Sequence, residues 1–115
     1  MKVNVLGVEY TIEYLTKAQD PDLEKCDGYC DSSAKRIVIR EYTEEEKKEP
    51  LTLGNLPEYQ KKVLRHELVH ATLYESGLWN CSHGHEAWAV NEEMVDWFAV
   101  QGPKLYAIWK AANAL

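Results

Sequence analysis

The feature that most constrains this chain is a pair of histidines four residues apart, in the segment His66-Glu67-Leu68-Val69-His70. Residues at this spacing lie on one face of an α-helix, so the two imidazoles can bind the same metal ion. A zinc ion held by neutral imidazoles lowers the pKa of a bound water from about 16 to about 7, and a neighbouring carboxylate can then take its proton. The segment therefore predicts two metal ligands, His66 and His70, and a general base, Glu67.

The residues around this segment predict a helix that contains it. Asn55 is a candidate N-cap, Pro57 lies in the expected first turn, and Gly77 is a candidate C-cap. Apolar residues recur between them at helical spacing: Val63, Leu64, Leu68, Ala71 and Leu73. The alternative is a helix whose two histidines are solvated or hydrogen-bonded in a core. That alternative is less favourable, because a histidine pair beside an acid is costly to place on an apolar helix for packing alone.

A catalytic zinc needs a third protein ligand and an open position. The segment from Asn91 to Asp96 offers that ligand, because Glu92 and Asp96 are four residues apart and share a helix face. Glu92 can reach the metal, while Asp96 can accept a hydrogen bond from a metal-binding histidine and fix the orientation of its ring. Glu93 is the competing ligand, and it lies about 100° away around the helix.

The pattern His66-Glu67-x-x-His70 followed by Asn91-Glu92-x-x-x-Asp96 resembles that of thermolysin-type metallopeptidases, the gluzincins. The short chain and the run from Glu92 to Ala99 are similar to the ImmA/IrrE-like group of small zincin-fold metallopeptidases, many of them encoded by phages and prophages. The resemblance is specific over residues 62–99. It implies one catalytic Zn²⁺ held by His66, His70 and Glu92, with Glu67 as the catalytic base and Asp96 supporting a ligand histidine.

The resemblance also implies an α+β fold of the minimal zincin-like type. In such a fold a small, mostly antiparallel sheet built from hairpins packs on the helix that carries the histidines, and a second helix carries the third ligand. The 115 residues fit one domain, residues 1–115, with one modest core.

The net charge and the hydropathy of the sequence limit which kinds of partner the protein can bind. The formal net charge of −6 argues against a nucleic-acid partner, because phosphate binding needs a basic patch. No stretch of about 20 apolar residues occurs, and residues 1–4 open a strand-like pattern rather than a signal peptide. We therefore expect a cytoplasmic protein with no membrane partner, whose partner is a protein or peptide substrate. The oligomeric state is left open.

The first forty residues predict the sheet. Residues 8–14 alternate in polarity, with these four on one face: Val8, Tyr10, Ile12 and Tyr14. The turn Leu6-Gly7 would pair this strand with residues 3–5, and residues 28–31 and 35–40 predict a second hairpin. By resemblance the hairpin of residues 28–40 lies along the cleft, where its edge can bind an extended substrate as a further strand. The alternative is that the acidic run of residues 44–50 covers this edge.

Beyond the histidine helix we expect a loop over residues 78–85 and a helix that opens at Glu86. Its predicted buried stripe consists of Trp88, Val95 and Phe98. Gly102-Pro103 predicts a break, followed by a last helix through Tyr106, Ile108 and Trp109. Four side chains are candidates to stabilise an oxyanion, and the sequence does not choose among them: Tyr29, Tyr74, His83 and His85.

Three cysteines, Cys26, Cys30 and Cys81, predict reduced thiols rather than a disulfide framework, because their number is odd and no export signal is seen. Together with His83 and His85 they are candidates for a second, structural zinc site. The alternative is small thiols that are buried or half-exposed.

Two functions follow from these patterns. The first is a zinc metallopeptidase, an endopeptidase in which water activated by metal and glutamate attacks a peptide bond. The second is a non-catalytic metal-binding or interaction module on the same scaffold, since a chain this short leaves little wall for a deep specificity pocket. The coordination of the zinc ion distinguishes the two functions. A fourth coordination position that is open to water indicates catalysis, and a fourth protein ligand such as Cys81 or His83 indicates a structural site.

Overall fold

The computed structural model describes residues 1–50, 52–82, 84, 87–113 and 115, and for Ile108, Trp109 and Ala111 the backbone alone. Four strands precede the helices, which confirms the expected α+β class. The strands are β1 (Lys2–Val5), β2 (Val8–Leu15), β3 (Gly28–Asp31) and β4 (Arg36–Arg40). The α-helices are α1 (Leu56–Glu75), α2 (Leu78–Cys81) and α3 (Glu92–Ala111). Single 3₁₀ turns occur at Pro21–Glu24, Glu46–Lys48 and Trp88–Val90.

The sheet is mixed, with strand order β1-β2-β4-β3. Each predicted hairpin is antiparallel, but the two hairpins join through a parallel pair, β2 and β4. The expectation of a mostly antiparallel sheet is therefore confirmed, since two of the three strand pairs are antiparallel and only the central pair is parallel. The alternation of polar and apolar residues encodes which face of a strand is buried, whereas the path of the connection decides which strands become neighbours. This order leaves β3 at an edge of the sheet.

One face of the sheet packs on α1. The buried side chains of this core come from both layers: Val5, Tyr10, Ile12, Ile37, Ile39, Val63 and Ala71. Tyr14, expected on the same face, is 41% exposed. Gly28 lets β3 lie against α1, because a Cβ at this position would be 2.7 Å from Val63 Cγ1 and 3.0 Å from the carbonyl oxygen of Val38.

The predicted ends of α1 are confirmed. The Asn55 side chain accepts a hydrogen bond from the backbone N–H of Glu58 at 3.3 Å, and Pro57 lies in the first turn. Gly77 follows the helix with φ of 84°, a left-handed conformation that glycine adopts without a Cβ clash.

Helix α3 begins beside Asn91, whose side chain accepts a hydrogen bond from the Met94 N–H at 2.8 Å. Glu86, where the sequence predicts that this helix opens, lies outside the described residues. The prediction is nevertheless wrong for residues 87–91, because they form a 3₁₀ turn with extended flanks and the α-helix begins at Glu92. The loop expected over residues 78–85 is wrong in part, since residues 78–81 form α2. His83 and His85 also lie outside the described residues.

The predicted break at Gly102-Pro103 is wrong, because α3 continues through both residues. Proline has no N–H to donate to the carbonyl four residues earlier, which belongs to Ala99. The Arg65 Nε of α1 donates a hydrogen bond to that carbonyl instead. A side chain from the neighbouring helix thus satisfies the acceptor that proline leaves open.

The predicted buried stripe of α3 is correct only for Val95, which is fully buried together with Ala99. Trp88 and Phe98 are 56% and 37% exposed, respectively. Val95 packs in one buried cluster with Leu73 of α1. None of the described helices is long and apolar enough to cross a bilayer.

Candidate metal centre

The histidine pair of α1 converges as its spacing predicts. His66 Nε2 and His70 Nε2 are 2.9 Å apart, and the two ring centroids are 4.7 Å apart. Burial lowers the pKa of His70. The neutral imidazole that this favours is the form that binds a metal ion.

The first residue of α3 brings a carboxylate to both rings. Glu92 Oε2 lies 3.2 Å from His66 Nε2, and Glu92 Oε1 lies 3.3 Å from His70 Nε2. The two carboxylate oxygens thus bridge the two imidazoles. Glu93 is exposed and lines a separate groove beside Trp88 and Trp97. Of the two competing acids, the fold brings Glu92 to the histidines.

Asp96, one turn further along α3, holds the His66 ring from behind. Its Oδ1 lies 2.8 Å from His66 Nδ1 and 3.0 Å from Lys62 Nζ. The hydrogen bond from Lys62 is the main reason why the pKa of Asp96 is lowered, and the one from His66 adds to it. The ionised carboxylate accepts the Nδ1 proton, which leaves Nε2 free to bind a metal.

Lys62 was not singled out by the sequence analysis. A signal was present, because Lys62 is four residues before His66 and therefore lies on the same face of α1.

Glu67 lies beside the histidines and is only 7% exposed. Burial raises the pKa of its carboxyl group to about 7. Its ligand atom and those of His66 and His70 all lie within 4.8 Å of one another, a grouping that can hold a metal ion. Two carboxylates thus approach the histidine pair. Glu92 touches both ring nitrogens, and Glu67 is buried against a cleft.

The cleft has a volume of about 830 Å³. It is lined by β3 and the turn after it, residues 28–33, by four residues of α1, and by three further residues: His66, Glu67, His70 and Tyr74, and Asp22, Trp79 and Glu92. A smaller cavity of about 190 Å³ shares Gly28, His66 and Glu67 with it. The two cavities therefore adjoin at Gly28, His66 and Glu67.

Two of the four oxyanion candidates line this cleft, and they differ. The Tyr29 hydroxyl donates to Asp20 Oδ2 at 2.7 Å and accepts from Arg36 Nη1 at 3.2 Å, so its bonding capacity is used. The Tyr74 ring packs against Trp79, with 5.6 Å between centroids. The Tyr74 hydroxyl makes no hydrogen bond to a described residue, so of these two candidates it is the one with a donor to spare.

The cysteines do not join the histidine pair within the described part of the chain. Cys26 Sγ contacts the carbonyl oxygen of Asp22 at 3.5 Å, Cys30 Sγ lies 3.7 Å from Ser32 Oγ, and Cys81 is exposed. Burial raises the pKa of Cys30 to about 11, which keeps this thiol protonated at neutral pH. A second zinc site with His83 and His85 stays a prediction.

Comparison with known proteins does not assign the chain. No family model, curated protein or solved structure matches it. The function is therefore argued from the geometry of the site.

Proposed function

We propose that this protein is a zinc-dependent metallopeptidase on a minimal zincin-like scaffold. The observation that carries the proposal is the bridge from Glu92 to both Nε2 atoms of the histidine pair, at 3.2 and 3.3 Å. Carboxylates and imidazoles converge in this way where a cation belongs between them.

The donor set fits zinc. Two imidazole nitrogens and one carboxylate make up a common protein ligand set of catalytic zinc, and the fourth position remains for water or substrate. The support of His66 by Asp96 is the usual arrangement behind a metal-binding histidine. The proposed ligands line the cleft, so a substrate in the cleft could reach a bound ion.

The residues divide the chemistry of peptide hydrolysis among them. Bound zinc would polarise the scissile carbonyl and make water acidic enough to attack at neutral pH. Glu67 would take the proton of that water and pass it to the leaving amine. In the metal-free protein burial raises the pKa of Glu67 to about 7. A bound cation beside this group would favour its carboxylate, which is the form that accepts a proton. Tyr74 would donate a hydrogen bond to the developing oxyanion.

An extended substrate would bind along β3. This strand is at the edge of the sheet and lines the cleft, so its free backbone groups can pair with a peptide. The cleft and the smaller cavity that adjoins it at Gly28, His66 and Glu67 would leave room for residues before and after the scissile bond. This favours an endopeptidase.

The test combines metal analysis with activity. We expect the purified protein to hold one zinc ion, and His70→Ala to lose it. Glu67→Gln should keep zinc but lose at least about a hundredfold in turnover of an unfolded protein or peptide library.

Glu93→Gln is the matched control and should retain both zinc and activity. Equal turnover by wild type and Glu67→Gln would refute the peptidase. If zinc binding survived that result, the chain would be a non-catalytic metal-binding module.

A further inference from the structure

Among the charged side chains that line the cleft, acidic ones predominate. Its lining includes four carboxylates and, among the described residues, neither lysine nor arginine; the four are Asp22, Asp31, Glu67 and Glu92. A divalent metal ion would offset two of these charges. An excess of negative charge then remains along the path of a substrate.

The cations nearest to the cleft are already paired. Lys35 Nζ lies 2.6 Å from Glu75 Oε1, and Arg36 Nε lies 2.6 Å from Glu13 Oε2. Lys62, which lines the adjoining smaller cavity, is paired with Asp96. Each of these cations thus has a carboxylate partner that does not line the cleft. Arg36, which lies opposite Asp31 on β4, also helps to lower the pKa of Asp31.

Asp31 is held as an anion whose second oxygen is available. Its Oδ1 accepts hydrogen bonds from Ser33 N at 3.0 Å, from Ser33 Oγ at 2.6 Å and from Ala34 N at 3.1 Å. These donors lower the pKa of Asp31. All three bonds use Oδ1, and within the described residues no ion pair includes Asp31. The turn thus fixes the carboxylate and leaves Oδ2 for a ligand.

The position of Asp31 relates it to the reacting centre. It ends β3, three residues after Gly28, which corresponds to about 10 Å along a strand. Gly28 borders the same cavities as Glu67. Glu67 is more than nine-tenths buried, faces the cleft, and is not hydrogen-bonded to any described residue. Its carboxylate marks where the reacting group of a ligand would be.

We propose that the cleft selects extended cationic peptide segments and that Asp31, assisted by Asp22, binds a lysine or arginine side chain about three residues from the scissile bond. This inference rests on the proposed peptidase function. It adds the substrate class, a basic and locally unfolded segment of a protein.

The first measurement is binding, which does not require turnover. Peptides of one length, with lysine, glutamine or glutamate three residues from the centre, are titrated into zinc-loaded Glu67→Gln protein. We expect the lysine peptide to bind at least about fivefold more tightly than the glutamate peptide at low salt, and the difference to shrink as salt is added.

Asp31→Asn should reduce this preference severalfold. Asparagine keeps the Oδ1 acceptor of the turn, and thermal unfolding checks that the turn is retained. Glu9→Gln, on the opposite hairpin and paired with Lys2, is the matched loss of one negative charge and should leave the preference unchanged.

The second measurement uses cleavage of the same peptides by the wild type. We expect the lysine preference to be expressed in KM, and Asp31→Asn to raise KM for the lysine peptide while kcat stays constant. Equal binding of all peptides, no binding, or a preference for glutamate would overturn the inference. Selective binding without any cleavage would instead refute the peptidase and retain the cationic ligand.

Discussion

Arg65 of α1 donates a hydrogen bond to the backbone carbonyl of Ala99 in α3, the acceptor that Pro103 cannot satisfy. Arg65 immediately precedes His66, and Ala99 follows Asp96 by three residues. The bond therefore ties the helix that carries the histidines to the helix that carries Glu92 and Asp96. We infer that this hydrogen bond fixes how the two helices are aligned at the candidate metal centre.

A double-mutant cycle tests this alignment. We expect Arg65→Met to weaken zinc binding by at least about threefold and to destabilise the protein by about 1–3 kcal/mol, because a carbonyl loses its donor. On a Pro103→Ala background the backbone N–H at position 103 can supply the missing bond, so the cost of Arg65→Met should shrink. Zinc titration and thermal unfolding of the four proteins provide the measurement. Additive effects of the two substitutions would show that Arg65 and Pro103 are not coupled through Ala99.

The choice between two adjacent acids is tested by zinc affinity. Glu92→Gln should weaken zinc binding by more than about tenfold, because an amide oxygen is a poorer zinc ligand than a carboxylate. Glu93→Gln removes the same charge one residue away and should change the affinity less than twofold. Competition with a chromogenic chelator measures both. If both variants lost a similar factor in zinc affinity, the net negative charge near the site, and not coordination by Glu92, would account for binding of the ion.

The buried carboxyl group of Glu67 predicts a pH dependence of stability in the metal-free protein. Its pKa is raised from 4.5 to about 7, so across this window the folded protein keeps a proton that the unfolded chain has released. The contribution of Glu67 to the free energy of unfolding is therefore fully present below pH 4.5 and is lost as the pH rises towards 7. Glu67→Gln should remove the dependence and stabilise the protein at pH 8 by roughly 1–3 kcal/mol. Denaturant unfolding with chelator present, at several pH values, checks this. Parallel pH profiles for the two proteins would contradict it.

The contact between β3 and α1 is tested at Gly28. Gly28→Ala should cost about 1–3 kcal/mol, because the new methyl group would meet Val63 Cγ1 and the Val38 carbonyl. Gly54→Ala is the control, since a Cβ there has open space. Gly28→Ala/Val63→Ala should recover only part of the loss, because the contact with the Val38 backbone remains. Denaturant unfolding measures the three variants. A Gly28→Ala variant as stable as the wild type would show that β3 and α1 are not in this close contact.

What could be predicted from sequence was local. Asn55, Pro57 and Gly77 marked the ends of α1 because capping depends on a few consecutive residues. The two histidines converge because their spacing matches one helical turn. The pairing of strands within each hairpin followed from the short turns that join them. In all three cases the interacting groups are close along the chain, so their separation in sequence largely determines their relative position in space.

Tertiary structure decided the rest. The parallel pairing of β2 with β4 depends on the path of the chain between the hairpins. Pro103 predicts a helix end from the sequence alone. In the structure the helix continues, because Arg65 of α1 donates a hydrogen bond to the Ala99 carbonyl. The preference for Glu92 over Glu93 depends on how α3 is rotated against α1, which the buried Val95 and Ala99 determine. Sequence by itself determined which donors this protein can offer to a metal ion; packing between distant segments decided which of them meet, because a contact between helices is made by surfaces whose relative position no local pattern encodes.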